Sequence, residues 1–124
     1  MKSLPILLID FDGVIHRNLV PWEGPHVVSD VPEPGAIEWL AALVKSGQFS
    51  VQIWSSRNRS DEGVDAMAAW LVAYGLDEEV LDQIGFPYDK MPAHLTIDDR
   101  AWCFTGTFPS VKEIADFKPW RTKE

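Results

Sequence analysis

The sequence predicts an α/β fold: a parallel sheet with helices on both faces. Three observations carry this expectation. Short β-prone runs alternate with segments of helical periodicity along the chain. The first run, Ile6-Leu7-Leu8-Ile9, is continuously apolar, as in a strand buried on both faces of a parallel sheet. Two of the runs end in paired carboxylates, Asp10-Phe11-Asp12 and Asp98-Asp99, where open α/β sheets place their ligands.

The elements follow in order. A first strand is predicted over residues 4–10. Residues 13–33 are rich in loop signals, with Pro21, Gly24, Pro25 and Pro32. A helix is predicted from Pro34 to Ser46, with Ile37, Leu40, Ala41 and Val44 as its apolar stripe and Gly47 as its stop. Val51-Gln52-Ile53-Trp54 reads as a second strand that runs into Ser55, Ser56 and Arg57. Ser60 is placed to cap a second helix with Val64, Met67, Ala68, Leu71 and Val72 inward and Gly75 at its end. A weak strand is expected near residues 83–86, and another leads into Asp98. Ala101-Trp102-Cys103-Phe104 reads as a short edge strand, with Cys103 in the core. A last helix is expected from Ser110, with Val111, Ile114 and Ala115 facing inward.

The acidic pairs carry the chemistry. In a strand, residues two apart point the same way, so Asp10 and Asp12 converge, and Gly13 lets the chain turn away. Converging carboxylates repel and must share a proton or a cation. A hard cation with oxygen ligands, Mg²⁺ most simply, fits such a set. If the strands are parallel neighbours, Asp98, Asp99, Ser55 and the loop residue Lys90 meet Asp10 and Asp12 at one sheet edge. Carboxylates, a hydroxyl and an ammonium together suit a divalent cation and a phosphoryl group.

The order Asp-x-Asp-Gly, strand-Ser, Lys, strand-Asp-Asp resembles the haloacid dehalogenase superfamily of phosphohydrolases, and the matches span Ile6 to Asp99. Val14 stands where that family commonly has Thr. The resemblance implies a Mg²⁺-dependent phosphatase that hydrolyses a phosphomonoester through an aspartyl phosphate. Asp10 would be the nucleophile and Asp12 the general acid/base. Ser55, with Ser56 and Arg57 beside it, would bind the phosphate, and Lys90 would steady nucleophile and phosphate. Asp10, Asp98, Asp99 and the backbone carbonyl of Asp12 would surround the metal. It further implies a three-layer Rossmann-like core with strand order 3-2-1-4, a fifth strand beside the fourth, and no separate cap domain. The gaps where such a cap inserts are short, which leaves a flap over about residues 14–30 of a single domain spanning 1–124. Members without a cap tend to act on bulky or macromolecular phosphates, or to borrow a cover from a second subunit.

Several residues have plainer readings. Arg57 and Arg59 read first as solvated surface groups, although a local patch of them would suit a phosphorylated chain end. His16 reads as a structural or solvated loop residue, and Trp22 as a contact that packs the flap onto the body. Two other classes share some features. A phosphorelay receiver needs an acceptor Asp where this chain has Ser55, and its first acidic pair lacks an intervening residue such as Phe11. A catalytically silent or phosphotransfer module of the same fold would keep all the motif residues.

Composition narrows the setting. The chain has 124 residues, enough for one core, and a formal net charge of −8, which argues against non-specific coating of a nucleic acid. No apolar run nears the roughly 20 residues of a membrane span. The start of the chain lacks the apolar region of a secretory signal. Cys103 is the only cysteine, so a reducing cytoplasm is the expected compartment.

Overall fold

The computed structural model describes residues 3–121. Its centre is a small parallel sheet of three strands, β1 (Ile6–Ile9), β2 (Ser50–Ile53) and β3 (Leu95–Ile97), in the order β2-β1-β3. The apolar run of β1 is central because it alone is paired on both sides. Leu7 lies opposite Val51 and Leu95, and Ile9 opposite Ile53 and Ile97. This register aligns the carboxyl ends of all three strands. Beyond it, Trp54 N–H donates to the Ile9 carbonyl (3.0 Å) and Asp10 N–H to that of Ile97 (2.9 Å).

Four helices follow the predicted order, with one addition. α1 (Ala36–Lys45) buries Ala36, Ile37, Leu40 and Val44, a spacing that gives one continuous stripe. Its first turn carries Glu38 and its last Lys45, each matched to the helix dipole. α2 (Asp61–Ala73) starts where the Ser60 hydroxyl accepts from Gly63 N–H, and it buries Met67, Trp70 and Leu71. Between Gly75 and the sheet lies α3 (Glu78–Leu81), capped by Asp77, which has no counterpart among the predicted elements. α4 (Val111–Ala115) has a full capping box between Ser110 and Glu113.

Leu7, Ile9, Val51 and Ile53 pack with residues of α1, α2 and α3 into one hydrophobic cluster, completed by Phe11 and Ile15. Each fully buried side chain of this kind contributes on the order of 1.5–3 kcal/mol.

Three expectations about the sheet are corrected. Residues 83–86 do not form a third strand; only Gly85 pairs, as a single bridge to Gln52 beside β2. The α3 turn ends at Asp82 and Pro87 follows two residues after Gly85, so little chain is left to extend. Ala101–Phe104 has no strand pairing, and Cys103 is exposed rather than in the core. The last helix does not face inward as expected: α4 buries nothing, and its Val111 and Ile114 are exposed. The parallel α/β core is therefore smaller than predicted. No helix among the described residues is long and apolar enough to cross a membrane.

Candidate cation and phosphoryl site

The aligned strand ends build the site directly. Asp10 follows β1, Asp98 and Asp99 follow β3, and Ser55 stands two residues beyond β2. Asp10, Asp98 and Asp99 each bring a carboxylate oxygen within 4.8 Å of the others. Gly13 makes this approach possible. Its φ is +89°, and a Cβ there would run into the Asp99 carboxylate. Burial, a hydrogen bond with Asp99 and the charges of Asp98, Asp99 and Asp12 push the Asp10 carboxyl up to about 9. The cluster therefore holds more negative charge than its surroundings compensate. Three hard oxygen donors in that condition fit a small divalent cation.

A cleft of about 200 Å³ opens over this cluster, lined by Asp10, Asp12, Gly13, Ser55, Ser56 and Asp99 together with Arg17, Asn18, Arg100 and Arg121. The Ser55 side chain is almost fully buried and accepts from Arg57 N–H (3.1 Å), as the cap of a 3-10 turn over Ser56–Arg59. Its hydroxyl proton remains available to a ligand. Ser56 lies exposed at the same wall.

Asp12 occupies a different environment two residues from Asp10. Its carboxylate is not part of the acidic cluster. His16 Nδ1 donates to Asp12 Oδ1 (2.8 Å), while Asp30 N–H donates to His16 Nε2 (3.0 Å), which fixes the proton on Nδ1. Arg57 closes the other side, with Nε 3.0 Å from Oδ2 and Nη2 3.0 Å from Oδ1. Burial pushes Asp12 up, but the hydrogen bonds from His16 and Arg57 outweigh it and hold the carboxyl below its ordinary range.

Arg57 departs most from expectation. It is 1% exposed, the largest fully buried side chain in the protein's described part. Besides Asp12 it donates through Nη1 to the carbonyls of Pro25 (2.9 Å) and Val27 (2.8 Å), and its guanidinium lies 4.6 Å from the Trp22 ring centroid. It does not line the cleft, and its donors are taken up by Asp12 and the backbone carbonyls of the 14–33 segment. The segment expected as a loose flap is accordingly fastened. Ile15, His16 and Asp30 are buried, Trp70 Nε1 donates to the Asp30 carbonyl (2.9 Å), and Asp30 pairs with Arg17. The tip at Pro21, Trp22 and Glu23 is exposed, as are His26, Ser29 and Val31.

Lys90 is exposed and does not line the cleft. Its loop is tied down instead by Asn58, whose Nδ2 donates to the carbonyls of Ile53 and Pro87 (both 2.8 Å). Positive charge at the cleft comes from Arg17, Arg100 and Arg121. Arg121 was not singled out in the sequence, being over a hundred positions from Asp10, and no local pattern marks it. Its Nη2 donates to Glu33 Oε2 (2.9 Å). Its Nε lies 2.8 Å from Oε1 but misaligned, so both atoms lack a proper hydrogen bond. Beside it, Trp120 Nε1 donates to the Gly13 carbonyl (2.9 Å), which brings the end of the described chain to the mouth of the site.

Comparison with protein families, with curated proteins and with solved structures finds no match to this chain.

Proposed function

We propose that this protein is a cation-dependent phosphomonoester hydrolase of haloacid dehalogenase type, acting through an aspartyl phosphate on Asp10. On this reading the three-stranded sheet is a pared-down Rossmann-like core. The observation that carries the proposal is the crowding of Asp10, Asp98 and Asp99 at the ends of neighbouring parallel strands, with the Ser55 hydroxyl on the same cleft. The cation held by these carboxylates, taken as Mg²⁺, would neutralise charge on Asp10 and on the phosphoryl oxygens.

The chain's own groups supply the rest. The Ser55 hydroxyl and the Ser56 N–H orient the phosphoryl group. An Asp10 oxygen attacks phosphorus, the bond to the ester oxygen breaks, and the alkoxide leaves with the bonding pair. Water then attacks the aspartyl phosphate, and Asp10 is regenerated with release of phosphate. Asp12 reaches the cleft and is held ionised by His16 and Arg57, which suits it to take the proton from that water. The same clamp leaves it without a proton to give to the leaving group, so esters with good leaving groups are favoured. Arg100, whose side chain has no hydrogen-bond partner among the described residues, takes the role that resemblance assigned to Lys90.

A catalytically silent cation-binding module of the same fold is the second reading. It is favoured by the position of Lys90 outside the cleft and by the engagement of Asp12 with Arg57. The purified protein, assayed for phosphate release from a panel of phosphate esters, separates the two. Turnover with Mg²⁺ that is lost on chelation, and lost in Asp10→Asn, is the expected result. Cation binding without turnover on any ester supports the silent module. Full activity after exhaustive chelation, or in Asp10→Asn, removes the proposed mechanism.

A further inference from the structure

A second cavity, of about 220 Å³, is lined by Ala101, Trp102, Pro109, Ile114 and Phe117, and it shares Arg100 with the carboxylate cleft. Its walls are apolar and aromatic, in contrast to the acidic floor next door. The fold leaves a large part of these rings uncovered. Trp102 is 50% exposed and Phe117 40%, and α4, which contributes Ile114, buries no residue. Exposed apolar surface gathered around a hollow marks a binding region more often than chance. Its position decides what it would hold. Asp99, Arg100 and Trp102 lie on one short run of chain, so the groove begins where the cleft ends. Arg100 alone lines both hollows, so an ester seated over Asp10 reaches the groove past Arg100.

We propose that this groove is a subsite for the leaving group, and that it takes a flat aromatic ring of the kind carried by a nucleoside phosphate. The proposal rests on the hydrolase reading and names the substrate class for that same site. Indole and phenyl faces stack on any nucleobase, and such stacking is worth about 1–3 kcal/mol per base. The net charge of −8 favours a mononucleotide or a chain terminus over a long polyanion, whose many phosphates the protein would repel.

The test compares two esters that differ only by the base: adenosine 5′-monophosphate and ribose 5-phosphate. Their affinities for the Asp10→Asn protein, which lacks the proposed nucleophile, are measured by calorimetry. The nucleotide should bind about 5- to 150-fold more tightly. Trp102→Ala and, separately, Phe117→Ala, each added to Asp10→Asn, should bring that ratio towards one. Both rings are substantially exposed, so the folded state should survive either change, which far-UV circular dichroism checks. Equal affinity for the two esters, no binding of either, or a ratio unaltered in both variants overturns the subsite. An intact ratio together with a wild-type protein that hydrolyses no ester would keep the subsite and discard the hydrolase reading.

Discussion

Two carboxylates two residues apart, Asp10 and Asp12, end in opposite situations. Asp10 stands among Asp98 and Asp99, with burial and like charges driving its carboxyl up. Asp12 stands between His16 and Arg57, with every oxygen answered and its carboxyl held down. The first region is electrostatically incomplete and needs something from outside, a proton or a cation. The second is complete, and it does structural work by joining β1, the 3-10 turn after β2 and the 14–33 segment. Strained electrostatics of the first kind mark functional sites more reliably than the mere presence of charged residues. Substitutions in the two regions should accordingly change stability in opposite directions.

The largest effect is expected at Arg57. Arg57→Met keeps much of the volume but strands the Asp12 charge and the carbonyls of Pro25 and Val27. Breaking a buried pair from one side costs about 3–5 kcal/mol. Urea unfolding should show a lower midpoint with an unchanged slope. The double variant Asp12→Asn/Arg57→Met should be less destabilised than Arg57→Met alone, because no buried charge is left unpaired. A single Arg57→Met variant as stable as the parent would dissolve the distinction between the two regions.

The opposite sign is expected at Asp10. Asp10→Asn removes one of three crowded carboxylates, so the cation-free protein should gain stability, on the order of 1–2 kcal/mol. The parent should instead be stabilised by Mg²⁺, by about 2.7 kcal/mol at a hundred times its dissociation constant. The variant should lose most of that response. Thermal unfolding of both proteins, with chelator and with Mg²⁺, gives the four numbers needed. A destabilised Asp10→Asn protein in chelator would mean that the cluster is already balanced without a ligand.

Much of the first region was legible in the sequence because it depends on local pattern plus strand register. An apolar run ending in Asp10, and a second run ending in Asp98 and Asp99, need only parallel pairing to meet. α1 and α2 were legible from the spacing of Ile37, Leu40 and Val44 and from the Ser60 cap. The second region was not, because its contacts are long-range. Arg57 meets Asp12 across 45 positions, and no local signal distinguishes it from the exposed Arg59. The plainer readings of His16 as structural and of Trp22 as a packing contact agree with their contacts to Asp12 and Arg57. The edge of the sheet failed for a related reason. Residues 83–86 and 101–104 have the composition of strands, but pairing depends on what neighbouring chain leaves room for, and only Gly85 finds a partner.

The smallest effect separates the two regions by pH, at a group remote from the acidic cluster. Asp30 anchors the compensated region. It accepts from the Arg17 guanidinium (2.9 Å) and from the N–H groups of Leu19 and Val31. Burial opposes its ionisation, but these donors prevail and bring its carboxyl down to about 2. A carboxyl lowered in the folded state binds its proton more readily when the chain is unfolded. Its contribution is therefore complete above the unfolded value of about 3.8 and is lost as pH falls through about 2. That contribution is no more than about 2 kcal/mol, since Arg17 is partly in solvent. Asp30→Asn should remove this part of the acid dependence, and the stabilities of variant and parent should converge as pH drops from 4 to about 2. Parallel stability curves over that range would show that Asp30 is not an ionised anchor and that the 14–33 segment is held by Arg57 and Trp70 alone.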